Sequence, residues 1–360
     1  MSSHPPRASG YFRTSYGQDF KLLETRTQRL TALVTAMALL VLPFAASPFL
    51  LDLAAQVLLA CVGALALALL TGYAGQVSLG HAGLIAAGAF TAGIMFKEWA
   101  APFWLTLPAA ALTGAVLGIV FGLPSLRLRG LYLAVSTLAL HFVVVYVGGE
   151  YETRRGLSSG IIIDPPSLAG ITFSSGRAWY FIMLAAALLT LLASINVLRG
   201  RTGRAWRSVY ANETVAGALG INVGFAKLSA FVVSSSITAL AGALFAYYRG
   251  FVSVEAFSLY LSIQYIAMII IGGMGSLLGA ILGAIFVTLF PYAIEALVGL
   301  IPGGERYAGD LFAVNYAAFG VVMVLFLVFE PLGLVGIWRR IQTFFLLWPF
   351  KQQPVGGARR

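Results

Sequence analysis

Long apolar runs, separated by short polar segments, occupy most of the 360-residue chain. A helix needs about 20 apolar residues to cross the roughly 30 Å hydrocarbon core of a bilayer. Ten runs reach or approach that length without Asp, Glu, Lys or Arg, as burial in hydrocarbon requires. They are Leu30–Leu51, Leu53–Leu70, Leu84–Phe96, Phe103–Leu123, Leu131–Val147, Trp179–Leu198, Leu228–Tyr248, Leu261–Met274, Ser276–Ile294 and Leu311–Phe329. The pattern predicts an all-α polytopic membrane protein with about ten transmembrane helices.

Two of these runs are compatible with another geometry. Leu84–Phe96 is short, and glycines interrupt the block at 261–294. Either one fits a re-entrant or discontinuous helix, whose irregular backbone must line a cavity or be buried in protein. The sequence leaves the number of spans open at these two places.

The basic residues indicate which way the spans face. Charged residues make up only 10% of the chain, against about 25% in soluble domains, which argues against a soluble enzyme. With ten spans, 17 basic residues lie on the side of both termini and six on the other. Because cytoplasmic loops carry the excess of Lys and Arg, both termini are predicted to be cytoplasmic. The net charge of +10 then reflects topology rather than nucleic-acid binding.

This topology divides the chain into a cytoplasmic segment 1–29, a transmembrane domain 30–329 and a cytoplasmic or interfacial tail 330–360. Within the domain, 148–178 is the large outer loop and 199–227 the large cytoplasmic loop. An alternative for the first apolar run is a signal peptide, since Ala45-Ala46-Ser47 follows it. The polar segment that precedes the run is long for a signal peptide, and many spans follow. We therefore expect the run to be a membrane span that is not cleaved.

Polar side chains between glycines mark the most unusual segment, residues 72–83. Polar groups at membrane depth need partners or a water-lined cavity, and a broken helix beside a substrate path provides one. An ordinary cytoplasmic turn is the alternative. The later glycine break is a second candidate, and both segments carry Ser-Leu between glycines, which hints at an inverted internal repeat. The candidate pathway residues are Tyr73, Gln76, Ser78, His81, Gly272, Gly273 and Gly275.

Glycines at four-residue spacing predict close helix contacts. Small residues let backbones approach where lipid removes the hydrophobic drive between helices. One stripe is Gly114, Gly118 and Gly122; the other continues from Gly275 to Gly279 and Gly283.

The loop at 199–227 contains the signature of a short helix. Asn212 suits the N-cap, Glu213 the first turn, and Gly220 the position after the C-terminus. The predicted helix, Glu213–Leu219, is marginal alone and should dock on this protein's own helices or on a soluble partner. A solvated basic loop without a special role is the alternative.

The chain has no Walker A loop, no Cys-x-x-Cys and no His-Glu-x-x-His, and its one cysteine is Cys61. We therefore predict no catalytic site, metal site or cofactor. The absence of charged residues from the spans also argues against a proton-coupled transporter. Such a protein either passes solute passively or takes energy from a partner.

Four blocks resemble bacterial ABC permeases for branched-chain amino acids. The hallmark is Leu70-Thr-Gly-Tyr-Ala-Gly-Gln-Val-Ser-Leu-Gly-His-Ala-Gly83. Leu126–Ala139, Arg201–Arg207 followed by Asn212–Asn222, and a late block of Gly250-Phe-Val-Ser and Gly272-Gly-Met-Gly-Ser276 resemble the larger, M-type subunit of the family.

The resemblance implies an importer in the bacterial inner membrane. A second permease subunit, two cytoplasmic ABC ATPases and a periplasmic solute-binding protein would be its partners, and nucleotide closure would drive alternating access. The coupling residues it implies are Arg204, Arg207, Asn212, Glu213 and Gly220. The substrate stays open between branched-chain amino acids and small neutral solutes such as urea or amides. A passive channel would not need the docking helix, and a scaffold without transport would not need the segment 72–83.

Overall fold

A computed structural model describes residues 26–126, 130–157, 160–168, 171–173, 175–300 and 311–347. Within this part the protein is a helical bundle with four two-residue strands. The helices are α1 (Arg26–Ala45), α2 (Pro48–Leu67), α3 (His81–Trp99), α4 (Phe103–Ser125), α5 (Leu131–Arg154), α6 (Gly176–Arg199), α7 (Arg201–Ala211), α8 (Glu213–Ala218), α9 (Val223–Arg249), α10 (Leu259–Gly272), α11 (Leu277–Leu300), α12 (Leu311–Phe329) and α13 (Gly333–Leu347). A π-helix, Ala68–Tyr73, continues α2, and a 3₁₀ turn, Val254–Ala256, precedes α10.

Side-chain caps begin several of these helices. The Ser47 hydroxyl accepts a hydrogen bond from the backbone N–H of Leu50 at 3.4 Å, and Pro48 takes the first helical position of α2. Asn222 caps α9 by accepting from the N–H of Phe225 at 2.9 Å. These residues satisfy N–H groups that have no partner inside a helix.

The core lies around α2 and α9. The C-terminal half of α2 is buried on all sides, and α9 packs against α2, α3 and α4. A methyl group on Gly88 would lie 1.8 Å from the Ala239 carbonyl oxygen, and one on Gly242 would lie 1.9 Å from that of Ile85. The α3 and α9 backbones therefore touch through their glycines.

The two predicted glycine stripes both face neighbouring helices. Gly114 and Gly118 lie against Ser235 of α9, and Gly122 lies against Leu228 of the same helix. Gly279 and Gly283 lie against the backbone of α10 near Gly272 and Met268. The α10–α11 hairpin is thus as close as its backbones allow.

The strands cap one end of the bundle, which we call the outer end. β1 (Ile161–Ile162) pairs antiparallel with β4 (Phe251–Val252), and β2 (Ser167–Leu168) pairs with β3 (Ile171–Thr172). Ile161 and Val252 are fully buried. The opposite end, which carries α7, α8 and α13, is called the inner end.

Several predicted boundaries differ from those observed. Residues 199–227 form α7, α8 and the start of α9 rather than one loop, and α5 extends to Arg154, into the predicted outer loop. The run at 84–96 belongs to the continuous helix α3, whereas the block at 261–294 is interrupted between α10 and α11. Of the predicted interfacial tail, α13 covers residues 333–347 and the rest lies outside the described residues.

A helix lies at each of the ten predicted spans, but fewer qualify as spans by length and hydropathy. Seven helices in the described part of the chain qualify, or eight if α12 and α13, which meet at 51°, count together. α3 carries Lys97 and Glu98 in its last turn, and the apolar part of α1 is short. The number ten is therefore not confirmed.

Candidate functional site

A distorted backbone opens the first glycine-rich segment. After Leu67 the hydrogen bonds of α2 lengthen to the π pattern, and the chain then leaves the helix altogether until His81. The N–H of Gln76 reaches back to the Leu70 carbonyl at 3.1 Å, and the Thr71 hydroxyl donates to the Gln76 carbonyl at 3.0 Å. Short π segments inside helices are frequent at functional sites.

Three predicted pathway side chains are buried in this segment and incompletely hydrogen-bonded. Gln76, Ser78 and His81 are at most 2% exposed. The Gln76 amide nitrogen donates to the Lys227 carbonyl at 3.2 Å, but its oxygen, the Ser78 hydroxyl and His81 Nε2 have no partner among the described residues. Buried polar atoms without partners cost stability, so a native protein that retains them needs a reason.

The two glycine breaks meet at the inner end. A methyl group on Gly72 would lie 2.8 Å from the backbone nitrogen of Gly275. Gly273 and Gly275 have φ angles of +119° and +79°, which L side chains adopt only with strain. Tyr73 lies beside them, with the Arg207 guanidinium 5.8 Å from its ring centre. The structure thus brings the predicted pathway residues from both breaks together.

Two rings are in contact on the outer side of the glycine breaks, where Tyr265 lies about two helical turns before Gly272 on α10. The centres of the His81 and Tyr265 rings are 4.7 Å apart. A methyl group on Gly63 would lie 2.5 Å from the Tyr265 ring. The hydroxyl of Ser262 accepts from the N–H of Ala82 at 2.9 Å and fixes α10 to the first turn of α3.

A cavity of about 310 Å³ lies beside this ring pair and extends to residues at the outer ends of α2 and α9. Tyr265 lines its inner part. Most of the remaining wall is apolar and comes from five helices: Leu59 and Ala60 of α2, Ile85 of α3, Ala241 of α9, Leu261 and Met268 of α10, and Val287 of α11, beside the polar Thr288. Tyr265 therefore contacts both the outer cavity and His81, the first residue of α3 after the first glycine break.

Polar groups gather at the rim of this outer cavity. The Tyr248 hydroxyl donates to the Asp52 carboxylate, and the Gln56 amide donates to the same carboxylate at 2.7 Å. The Arg249 guanidinium lies 5.7 Å from the Tyr248 ring centre. Gln56, Tyr248 and Arg249 line the cavity, together with Gln264 and Tyr292, whereas Asp52 lies just outside the lining. The sequence did not predict this rim, because its members lie on four helices, with at most two on each.

The inner end presents α7 and α8 beside the first break. Asn212 accepts from the N–H of Val215 at 3.1 Å as the predicted N-cap, and Gly220 has a φ of +82°. Arg207 donates to the Leu198 carbonyl at 2.5 Å and Arg204 to the Arg199 carbonyl at 2.9 Å. These two predicted coupling arginines therefore hold α7 against the end of α6.

The exposed face of α8 is apolar. Val215 and Leu219 are 53% and 75% exposed, and Phe225, at the start of α9, is 69% exposed. An ion pair between Glu213 and Lys227, at 2.5 Å, connects α8 to α9. Apolar side chains at a water-facing end of a membrane protein indicate a surface that a partner covers.

No group of three or more His, Cys, Asp or Glu side chains is placed to hold a metal ion among the described residues.

Comparison with known proteins matches residues 49–329 to the family model described as branched-chain amino acid transport system, permease component. The chain is 30% identical to the high-affinity branched-chain amino acid transport system permease protein LivM of Salmonella typhimurium and to that of Escherichia coli K12, over 84% of this chain and 75% of each relative. It is 29% identical to the autoinducer 2 import system permease protein LsrC of Salmonella typhimurium over 51% of this chain and 54% of the relative. No solved structure matches. The match spans α2 to α12, so the chain belongs to the permease-component family of branched-chain amino acid transport systems.

Proposed function

We propose that this chain is the membrane subunit of an ABC importer that carries branched-chain or related amino acids from periplasm to cytoplasm. The inner end then faces the cytoplasm, with both termini there. Two ABC ATPases, a second permease subunit and a periplasmic solute-binding protein complete the transporter. The LivM relatives support the amino-acid substrate class.

The observation that carries the proposal is a continuous connection between α8 and the outer cavity. Glu213 of α8 pairs with Lys227 near the start of α9, and α9 runs unbroken for 27 residues to Arg249 at the cavity rim. Because a helix of that length spans about 40 Å, a partner that moves α8 would displace the cavity wall. We infer that ATPase closure drives alternating access through this helix.

The apolar face of α8 is the proposed ATPase contact. A short helix laid in a groove of a soluble partner is a common recognition mode. Replacing Leu219 by Asp should release the ATPase during purification and abolish ATP-driven leucine uptake in proteoliposomes. Leu219→Met, which keeps the apolar surface, should retain both properties. Uptake that persists in the Asp variant without ATPase would instead support a passive channel for small neutral solutes.

A further inference from the structure

Arg249 lines the outer cavity, and the opposite charge of Asp52 lies next to the lining, hydrogen-bonded to the lining residues Tyr248 and Gln56. Asp52 lies in the second turn of α2 and Arg249 in the last turn of α9, and both contact Tyr248. The Arg249 guanidinium also lies 5.9 Å from the Phe245 ring centre. Neither residue forms an ion pair within the part of the chain that the structure describes. One positive and one negative group therefore contact the same tyrosine at the rim.

Away from Arg249 the cavity wall is mostly apolar, and Gln264 and Thr288 are its polar members there. Leu59, Ile85, Met268 and Val287 come from four different helices and converge toward the Tyr265 ring. A ligand that enters from the outer end meets the charges first and the apolar wall afterwards. Small-molecule sites commonly combine a mostly apolar wall with a few placed polar groups.

We propose that this cavity is an amino-acid recognition site within the permease itself. Arg249 binds the substrate carboxylate, Asp52 binds the ammonium group, and the aliphatic side chain points toward Tyr265. Tyr248 and Gln56 hold the Asp52 carboxylate in place through their hydrogen bonds. The proposal rests on the proposed import function and extends it, because it makes the membrane subunit a second point of selection after the binding protein.

The site requires both substrate charges on the same molecule. Charge-assisted hydrogen bonds are about twice as strong as neutral ones, and a site built to bind a polar group rejects analogues that lack it. Leucine should therefore bind at least about tenfold more tightly than isopentylamine, which lacks the carboxylate, or 4-methylpentanoate, which lacks the ammonium group.

The test measures the binding of these three compounds to the complete transporter in lipid nanodiscs without the binding protein. Arg249→Gln should remove the preference for leucine over isopentylamine but keep the preference over 4-methylpentanoate. Asp52→Asn should remove the preference for leucine over 4-methylpentanoate but keep the preference over isopentylamine. Arg249→Lys, which keeps the charge, should behave as wild type. A variant that only distorts the cavity would weaken all three ligands alike.

Two outer-end charges provide matched controls. Arg154 pairs with Glu150 at 2.7 Å on the surface, and Asp164 is exposed in the segment after β1. Arg154→Gln and Asp164→Asn should leave all three affinities unchanged.

The outcomes separate this proposal from the import function. If the wild-type transporter shows no preference for leucine, the proposed recognition site is wrong. It is also wrong if the Arg249 and Asp52 variants keep the full preference for leucine, or if they lose affinity for all three ligands equally. If the complete transporter with its binding protein imports no leucine, the proposed function itself fails.

Discussion

Lys227 connects the short helix α8 to the first glycine break. Its ammonium nitrogen lies 2.5 Å from a Glu213 carboxylate oxygen, and its backbone carbonyl accepts the hydrogen bond from the Gln76 amide at 3.2 Å. The Lys227 side chain is only 8% exposed. One residue of α9 therefore contacts both the proposed ATPase-docking element and the proposed pathway.

Glu213→Gln tests the ion pair. The change removes the negative charge but keeps the shape, so the buried ammonium loses a charged partner, an interaction worth about 1.5–3 kcal/mol. We expect ATP-driven uptake to fall about tenfold or more, with normal insertion into the membrane. The measurement is initial uptake rate per inserted transporter. Glu150→Gln, at an exposed outer pair, is the control, and equal rates for the two variants would contradict the coupling role.

Gly220→Ala tests the turn after α8. Nothing lies within 4 Å of an added methyl group, so only the φ of +82° opposes the change, at about 1–2 kcal/mol. We expect a several-fold loss of uptake, and a smaller loss for Gly220→Asn, because Asn tolerates this conformation better. Gly217→Ala lies inside α8, where a methyl group has ordinary contacts and favours the helix. That control should retain full uptake; if it is as impaired as Gly220→Ala, the turn conformation is not the cause.

Gly88→Ala tests the contact between α3 and α9. The added methyl group would lie 1.8 Å from a backbone oxygen of Ala239, and backbone atoms in packed helices cannot move aside as a flexible side chain can. We expect a severe loss of folded protein, measured as the monodisperse yield after detergent extraction. Gly320→Ala on α12 has open space around it and should give the wild-type yield. A wild-type yield of Gly88→Ala would show that the two helices are less close than described.

The sequence predicted a helix at each of the ten apolar runs because those runs are long and carry no charge, although α2 begins at Pro48, inside the run predicted as Leu30–Leu51. It also located Asn212, Glu213 and Gly220 correctly around α8, since cap residues act over three or four neighbours. It did not predict α7, whose arginines resembled a solvated loop although Trp206 and Val209 of the same helix are buried.

The outer half of the site could not be predicted in this way. Asp52, Gln56, Tyr248 and Gln264 are separated by up to about 200 positions and become neighbours only when α2, α9 and α10 pack together. Their recognition required the tertiary structure. The inverted repeat suggested by the two Ser-Leu segments stays a prediction, because the meeting of Gly72 with Gly275 places the two breaks together without relating their surroundings.

Ser78→Ala separates a pathway role from a structural one. The Ser78 hydroxyl is 1% exposed and has no partner among the described residues, so its removal relieves an unsatisfied polar group and should leave thermal stability equal or slightly raised. If the hydroxyl contacts substrate or water during transport, uptake should nevertheless fall. Ser262→Ala is the matched control, because that hydroxyl already accepts from the N–H of Ala82, and its loss should lower the melting temperature as well as uptake.

The measurements are thermal unfolding in detergent and uptake by the same preparations. A Ser78→Ala variant that is destabilised as much as Ser262→Ala would show an ordinary structural hydroxyl, and unchanged uptake would remove Ser78 from the pathway.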